Sequence, residues 1–288
     1  MTLTIETIGG SPVTDPFKIA GPALVSFSGG RTSAYMLHEI LRAHKGTLPD
    51  DVHVCFANTG KEREETLRFV HECGSRWCVR VRWLEWRDAK PCFVEVGFNS
   101  ASRDGEPFEA LIRKKQRLPN WQERWCTTFL KIRPMHDFMR QVSGLEPGQY
   151  VEAIGLRDDE ADRIGDMVEG DERSGRRRTA PLARARVCKP DVMAFWAAQS
   201  WDLGLEPWEG NCDLCFATGR RVRLARLRRR PHCGAWWAGQ ESDVGGVFDR
   251  RDSVLSLMQQ AHQTPDFLED IPDEHDAECG LWCAGEAA

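Results

Sequence analysis

The sequence predicts a doubly wound, parallel α/β sheet followed by a smaller helical C-terminal region. Short apolar runs alternate with amphipathic, helix-like segments through Glu85, and glycines or polar residues come directly after several of the runs. Alternation of strands and helices is typical of a parallel sheet with helices on both faces. Because such sheets bind ligands at the carboxyl ends of their strands, the residues after the apolar runs are the first candidates for a site.

The first strand and helix are the clearest elements. Residues 23–27 form an apolar run that predicts a buried strand, and residues 32–44 predict a helix with Leu37, Ile40 and Leu41 on one face. Further strands are expected at residues 52–57, 78–84 and 150–155, and further helices at residues 62–73, 129–142, 191–200 and 220–230. We expect a long loop at residues 87–125 and a polar, mobile segment at residues 160–178.

The composition is that of a globular protein, with 288 residues, 41% hydrophobic residues, 29% charged residues and a net charge of −5. No apolar run approaches the ~18 residues of a membrane span. The first residues lack the basic start and apolar core of a signal peptide. We therefore expect a cytoplasmic protein with no membrane partner. Thiols stay reduced in the cytosol, so several of the 11 cysteines are candidate metal ligands or redox groups.

The loop Ser28–Ser33 has the features of a phosphate-binding turn. Two glycines let the backbone turn tightly and expose N–H groups, and the start of the following helix adds partial positive charge. Serine hydroxyls and the Arg31 guanidinium can donate hydrogen bonds to a phosphate. The spacing differs from that of the Walker loop. The alternative is a plain Gly-Gly turn at the start of a helix.

Several segments resemble one family in a fixed order. Phe27–Ser33 is similar to the SGGxxS loop of PP-loop nucleotide enzymes, namely the ATP pyrophosphatases and the 3′-phosphoadenylylsulfate (PAPS) reductase family with its phage-type and DNA-phosphorothioation relatives. The family loop usually carries Lys-Asp where this chain has Arg31-Thr32. Further segments that resemble the family are Asn58–Gly60 with Glu65-Thr66, Trp125–Pro134, Ile154–Arg157 with Glu160 and Arg163, and Pro181-Leu182 with Asp191-Val192 and Trp196.

The resemblance covers about residues 22–240 and implies a PP-loop, Rossmann-like fold. It implies an adenine nucleotide, either ATP or PAPS, with Mg²⁺. It gives Lys131 and Arg157 catalytic roles as contacts to phosphate or sulfate. It places nucleotide-binding residues at the ends of the first, second and fourth predicted strands and in the loops that follow: Ser26, Ser28, Gly29, Gly30, Arg31, Thr32, Ser33, Asn58, Thr59, Gly60 and Gly155.

These observations divide the chain into four parts. We predict a lead-in at residues 1–20, a PP-loop nucleotide-binding domain at residues 21–205, a Cys- and Arg-rich helical region at residues 206–265, and an acidic, Cys-containing tail at residues 266–288.

Cys212 and Cys215 form a C-x-x-C motif, a spacing that lets two thiolates reach one metal or cluster. The spacing alone also fits a redox pair, half of a zinc site or chance. In iron–sulfur members of the family, such a motif joins a Cys-Cys pair. This chain has Cys126-Thr127 at that place, so one of the two cysteines is replaced by threonine. The resemblance therefore implies a [4Fe-4S] cluster on Cys126, Cys212 and Cys215, with a fourth ligand not fixed by spacing. The alternative is a set of thiols without a metal.

The tail carries a separate signal. Glu278–Leu281 resembles the C-terminal E-C-G-L of PAPS reductases, where the cysteine attacks the sulfonate sulfur and a thioredoxin-type partner reduces the intermediate. This resemblance makes Cys279 a candidate catalytic nucleophile. The alternative is a disordered acidic tail with incidental cysteines.

The segment Arg220–Arg230 holds seven arginines in eleven residues. As a helix it would bury a narrow apolar stripe and expose several guanidiniums, which could contact the phosphates of DNA or tRNA. The alternative is a solvated helix.

Two sulfur reactions fit these features. Cys279 could reduce the sulfonate of PAPS or adenylylsulfate with a thioredoxin-type reductant. Alternatively, ATP could activate a nucleic acid, with sulfur arriving from a donor through Cys126, Cys212 and Cys215. A non-catalytic protein that binds nucleotides or nucleic acids and retains the PP-loop fold is the alternative from a different class.

Overall fold

The computed structural model describes residues 15–263, and these form a six-stranded sheet with helices on both faces. The strand order is β4-β3-β2-β1-β5-β6, and every neighbouring pair is parallel except β3–β4. The predicted α/β fold class is confirmed. The strands are β1 Ala23–Ser26, β2 Val52–Asn58, β3 Val81–Trp86, β4 Phe93–Val96, β5 Val151–Ile154 and β6 Arg177–Thr179.

Ten α-helices and one π-helix are present in the described part of the chain. They are α1 Arg31–Ala43, α2 Glu64–Arg76, α3 Glu106–Lys115, the π-helix Thr127–Ile132, α4 Arg133–Ser143, α5 Ala161–Ser174, α6 Pro181–Arg184, α7 Lys189–Ala197, α8 Arg220–Arg229, α9 Cys233–Val244 and α10 Val254–Gln263.

The central strand β1 lies between β2 and β5, with Ser26 beside Cys55 and Ile154. All four β1 residues are buried, as expected for a strand covered on both faces. The chain moves outward in one direction from β1 to β2 and β3, and in the other to β5 and β6. The order therefore reverses between β1 and β5, and this reversal creates the crevice in which open α/β sheets bind ligands.

Three apolar clusters hold the fold together. The first joins one face of the sheet to α1, α2 and α7, and includes Leu37, Phe69 and Trp196. The second joins the opposite face to α4 and includes Phe138. The third joins α3 and the π-helix to α8, α9 and α10, and it includes Phe108 with Leu224, Leu227 and Trp237. The C-terminal helices therefore share a core with α3, which comes from the predicted nucleotide-binding domain.

The structure corrects several element predictions. Residues 87–125, expected to be a loop, contain β4 and α3. Residues 160–178, expected to be mobile, contain α5 and the start of β6. The predicted helix at residues 129–142 begins instead as a π-helix at Thr127. The described residues contain no helix long and apolar enough to cross a membrane.

Candidate functional site

The loop after β1 makes its turn at Gly29. This residue has φ +82°, a conformation that favours glycine. A Cβ at this position would lie 2.8 Å from Thr66 Cγ2 and 3.1 Å from Phe56 Cε2. The conformation and the close packing on β2 and α2 both require glycine, and together they fix the path of the loop into α1.

Serine hydroxyls stabilise the loop from within. Ser28 Oγ lies 2.9 Å from Ser33 Oγ, and Ser33 Oγ donates to the Gly30 carbonyl at 3.0 Å. Helix α1 begins after Gly30 without a side-chain cap and with no acidic residue in its first turn. The first N–H groups of a helix have no partner within the helix, so this end of α1 can receive a negatively charged group.

Arg157 approaches the same end of α1 from the loop after β5. Its Nη1 donates to Thr32 Oγ1 at 3.1 Å, and its Nε donates to Asp159 Oδ1 at 2.9 Å. The residue is only 3% exposed. A Cβ on Gly155 would lie 3.0 Å from Ser33 Cα, so the backbone after β5 packs directly on α1. The structure thus brings together the predicted residues Thr32, Ser33, Gly155 and Arg157.

Arg31 has a different set of partners. Its Nε donates to Asp202 Oδ1 at 2.8 Å, and its Nη2 donates to the Leu205 carbonyl at 2.7 Å. Arg31 also lowers the pKa of Asp202, although burial of that carboxyl opposes the change. The guanidinium that was predicted to clamp a phosphate therefore ties α1 to the segment after α7.

The loop that carries the C-x-x-C motif docks on the loop after β1. Asn211 Nδ2 donates to the Ser28 carbonyl at 2.8 Å. Asn211 is 2% exposed. Its own carbonyl accepts a hydrogen bond from the Arg63 backbone N–H at 2.7 Å. The segment before Cys212 is therefore held between the first and second strand-end loops.

Cys212 contacts a buried carboxylate. Its Sγ lies 3.5 Å from Glu62 Oε2 and donates to it, and the two residues form an isolated antiparallel bridge. The other oxygen, Glu62 Oε1, lies 3.2 Å from Lys131 Nζ and accepts from Thr59 Oγ1 at 3.2 Å. The Glu62 side chain is fully buried. A thiol, an amine and a carboxylate thus meet next to the loop after β2.

A second ion pair, between the buried Lys61 and the half-buried Asp213, holds the next residue of the motif. Lys61 Nζ lies 2.9 Å from Asp213 Oδ2, and Trp237 Nε1 donates to Asp213 Oδ1 at 2.8 Å. Burial raises the pKa of Asp213, while Lys61 acts in the opposite direction. These contacts fasten the C-x-x-C motif to both the loop after β2 and α9.

Asn58 and Gly60 lie at the same edge of the sheet and shape it. Asn58 Nδ2 donates to Glu85 Oε1 at 2.6 Å and to the Ser102 carbonyl at 2.8 Å. Asn58 Oδ1 accepts from the Gly60 N–H at 3.2 Å. These contacts give Asn58 a structural role in the turn that presents Thr59 and Glu62.

Cys126, Cys212 and Cys215 are the predicted metal ligands. Within residues 15–263, no group of three or more His, Cys, Asp or Glu side chains is arranged to hold a metal ion. Cys212 instead donates to Glu62, and Cys126 lies at the start of the π-helix. The assignment of Cys126, Cys212 and Cys215 as metal ligands stays a prediction.

The residues matched by the phosphoadenosine phosphosulfate reductase domain are 22–183. The chain belongs to this family. The matched residues include the strand-end loops with Ser28, Glu62 and Arg157, and they include Lys131. Asn211 and Cys212 lie beyond the match, so the C-x-x-C motif belongs to a segment that follows the PAPS reductase domain.

Two curated relatives have similar sequences. The chain is 33% identical over 204 residues to the uncharacterized nin region protein ORF290 of Escherichia phage lambda, covering 67% of this chain and 65% of that protein. It is 29% identical over 124 residues to the uncharacterized protein MJ0066 of Methanocaldococcus jannaschii, covering 43% of this chain and 21% of that protein. The chain therefore spans less than two thirds of either relative's length.

Among solved structures, the U34-tRNA thiolase NcsA from Methanococcus maripaludis with its [4Fe-4S] cluster is similar at a TM-score of 0.36 and 14% sequence identity. The similarity covers 88% of this chain and 74% of that one.

The arginine-rich segment of this PAPS reductase family member is largely internal. Arg223 and Arg226 are 2% and 1% exposed. Arg223 Nη2 donates to Asp249 Oδ2 at 2.5 Å, and Arg226 Nη2 donates to the Trp208 carbonyl at 3.2 Å. Carboxylates also pair with Arg220, Arg229 and Arg230. The expectation of a narrow apolar stripe with the guanidiniums in solvent is wrong for Arg223 and Arg226, which help to hold α8 in the core.

Sequence reasoning missed two central residues, Glu62 and Asn211. Glu62 lies two residues after Gly60 and Asn211 directly precedes Cys212, but a single carboxylate or amide near a motif has no spacing that marks it. The predicted nucleophile Cys279 and the acidic tail lie outside the described residues.

Proposed function

We propose that this protein binds ATP at the loop after β1 and uses it to transfer sulfur to a nucleic acid, with Cys126, Cys212 and Cys215 at the sulfur-handling site. One observation carries the proposal: Asn211 contacts the Ser28 carbonyl while the adjacent Cys212 contacts Glu62. A C-x-x-C thiol is thereby held beside a loop suited to phosphate.

The proposed reaction has two balanced steps. An oxygen of the acceptor attacks the α-phosphorus of ATP, the bond from that phosphorus to the bridging oxygen breaks, and pyrophosphate leaves. Hydrosulfide supplied by a sulfur donor then forms a carbon–sulfur bond, and AMP leaves with the acceptor oxygen. The overall exchange is neutral in oxidation state, so this route needs a sulfur donor but no separate reductant.

The described residues supply binding and charge for these steps. The uncapped N–H groups of α1 and the hydroxyl of Thr32 would contact phosphate oxygens, and Arg157 would balance their charge. Preorganised donors of this kind stabilise the charge that develops in a transition state. The Glu62 carboxylate would accept the hydrogen bond of the Cys212 thiol, while Lys131 balances the negative charge of that carboxylate.

The iron–sulfur prediction is tested separately from the reaction. Anaerobic purification followed by iron, sulfide and visible-absorbance analysis would support the ligand assignment if iron is present and is lost when Cys126, Cys212 and Cys215 are changed together to alanine. Absence of iron, or iron that survives the triple change, would contradict it. The Cys78→Ala variant is the control, because that thiol is free and exposed.

The deciding experiment measures pyrophosphate release from ATP in the presence of a nucleic acid and a hydrosulfide source. We expect release that depends on the acceptor and falls at least about tenfold in Arg157→Lys, since lysine loses the guanidinium's paired donors. Arg186→Lys is the matched control, because Arg186 is exposed and its carboxylate partner among residues 15–263 is the half-buried Asp158.

Two other outcomes would overturn the proposal. Consumption of PAPS with a thioredoxin, lost in Cys279→Ser while ATP stays intact, would establish sulfonate reduction instead. Binding of ATP without any turnover under every condition would indicate a nucleotide-binding protein that retains the fold.

A further inference from the structure

A cationic cleft lies between the loop after β3, the end of α3, the π-helix and α4. It has a volume of about 690 Å³. Arg87, Lys90 and Cys92 line it on one side, and Phe129 and Arg133 line it on the other. None of these residues carries one of the site roles described above.

Positive charge exceeds negative charge in this cleft. Two carboxylates line it, Asp88 and Asp137. The cations that line it are Arg87, Lys90, Lys114, Arg133, Arg140 and Arg176. Lys114, Arg140 and Arg176 each pair with a carboxylate. Among the described residues, Arg87, Lys90 and Arg133 form no ion pair, and all three are exposed.

Phe129 gathers further charge at one end of the cleft. The guanidinium carbon of Arg133 and the Lys115 ammonium both lie 3.9 Å from the centre of its ring. Such contacts hold a cation over an aromatic face. Burial lowers the pKa of Lys115, and the nearby cations Arg117, Arg133 and Lys114 lower it further. Two cations are thus held close together although each repels the other. A bound anion would reduce this electrostatic repulsion.

The π-helix connects the cleft to the candidate site. Thr128, Phe129 and Ile132 line the cleft, whereas Lys131 pairs with the buried Glu62. The two sets of side chains leave the same six-residue element in different directions. π-Helical turns are frequent at functional sites. A ligand in the cleft would therefore lie against the element that carries Lys131.

We propose that this cleft binds a single-stranded nucleic acid through its phosphates, with Arg87, Lys90 and Arg133 as the main contacts. Single strands are commonly bound in concave, cationic grooves that follow the backbone. Arg220–Arg230, the segment expected to serve this purpose, has two of its arginines buried and most of the others paired. The inference rests on the proposed function, because it places the nucleic-acid acceptor.

The test is fluorescence anisotropy with the full chain and labelled single-stranded RNA or DNA of about 16 nucleotides, the upper end of a common site size. The cleft variant is the triple change Arg87→Ala, Lys90→Ala and Arg133→Ala. We expect its affinity to fall by at least about tenfold at low salt, and its log–log salt slope to decrease by about 2, at about 0.7 per lost phosphate contact.

A matched control removes the same charge from α8, with Arg221→Ala, Arg228→Ala and Arg229→Ala, and we expect it to bind like the unchanged chain. Equal losses in both triple variants, or no loss in the cleft variant, would overturn the proposal. Displacement of the strand by pyrophosphate or by poly-glutamate of equal charge would also overturn it, as it would indicate a small-anion site or an acidic-peptide site.

The same variants separate this inference from the proposed function. ATP affinity is measured in parallel by calorimetry and is expected to be unchanged in the cleft variant. If ATP binding and turnover are normal but the nucleic acid does not bind in the cleft, the assignment of the cleft is wrong and the proposed function is unaffected. A strand that binds in the cleft of a protein that never cleaves ATP would defeat the proposed reaction alone.

Discussion

Asn211 donates its side-chain amide to the backbone carbonyl of Ser28 across 2.8 Å. This bond joins two loops that are 183 residues apart in sequence. One loop has the glycines and hydroxyls of a phosphate site, and the other continues directly into Cys212. This buried amide therefore links the two chemistries directly, beside the contacts that hold Cys212 and Asp213 to the loop after β2.

Asn211→Ala is expected to weaken the contact between the two loops. It leaves the Ser28 carbonyl without this donor, and a lost buried hydrogen bond costs about 1–3 kcal/mol. We expect lower stability in urea unfolding and weaker ATP binding in calorimetry. Asn99→Ala changes an exposed asparagine and is the control. Unchanged ATP affinity in Asn211→Ala would show that the docking of the loops has no role in the nucleotide site.

Gly29→Ala is expected to disturb the loop more than an ordinary glycine substitution. The positive φ alone costs about 1–2 kcal/mol for a residue with a Cβ. At Gly29 the new Cβ would also meet Thr66 Cγ2 at 2.8 Å, so the loop must move. The expected result is a stability loss beyond the conformational cost, with loss of ATP binding.

Gly46→Ala separates the two causes. Gly46 has φ +86°, but no atom lies within 4 Å of a Cβ at that position. It should show the conformational cost alone and bind ATP normally. Equal unfolding energies and equal ATP affinities in the two variants would contradict the role of the close packing at Gly29.

The buried pair of Glu62 and Lys131 can be tested by a double-mutant cycle. Removing one partner of a buried ion pair destabilises a protein by about 3–5 kcal/mol, while removing both costs less. We expect Glu62→Gln and Lys131→Met each to lower the unfolding free energy in urea. The double variant should be more stable than the sum of the two effects predicts.

Additive effects in that cycle would show that the two groups do not interact appreciably in solution. The exposed pair Arg113–Glu109 gives a matched cycle, for which we expect a coupling of about 0.3–0.5 kcal/mol.

The sequence was sufficient for the parts of the fold that depend on local patterns. The strands β1, β2 and β5 and the helix α1 have strong apolar periodicity, and they occur close to their predicted bounds. Helix α5 was missed because only Met167 of its residues is buried, so its sequence has little apolar pattern to read. Helices α9 and α10 were missed because their burial depends on packing against α8 and α3.

In the candidate site, too, local sequence patterns predicted some residues, whereas others depend on tertiary packing. Thr32 and Ser33 were predicted from the loop after the first strand, and Gly155 and Arg157 from the end of the fourth, where both segments resemble the family. The structure brings these four residues together. The partners of Arg31 and Arg223 were not predicted, because Asp202 and Asp249 come from distant loops and their approach is a property of tertiary packing. Charge density in the sequence therefore indicated a nucleic-acid contact where the structure has ion pairs.

Glu152 on β5 gives a prediction for the dependence of stability on pH. Burial opposes ionisation of this carboxyl, but Arg176 Nε donates to it at 3.0 Å and His136 Nε2 lies 3.5 Å away, and the net effect lowers its pKa to about 2. The folded-state pKa is below the unfolded value of about 4.3. The carboxylate therefore stabilises the fold above about pH 4, and this contribution is lost as the pH falls toward 2.

The measurement is the urea unfolding free energy of the unchanged chain and of Glu152→Gln from neutral pH to about pH 3. We expect the advantage of the unchanged chain to shrink by about 2 kcal/mol between neutral pH and about pH 3, because roughly 1.3 pKa units of the shift lie above pH 3 at 1.36 kcal/mol for each unit. Glu146→Gln, which removes an exposed partner of Arg140, should leave the pH dependence nearly unchanged because solvent screens that pair. A difference between the unchanged chain and Glu152→Gln that stays constant with pH would mean that Arg176 and His136 do not hold this carboxyl ionised.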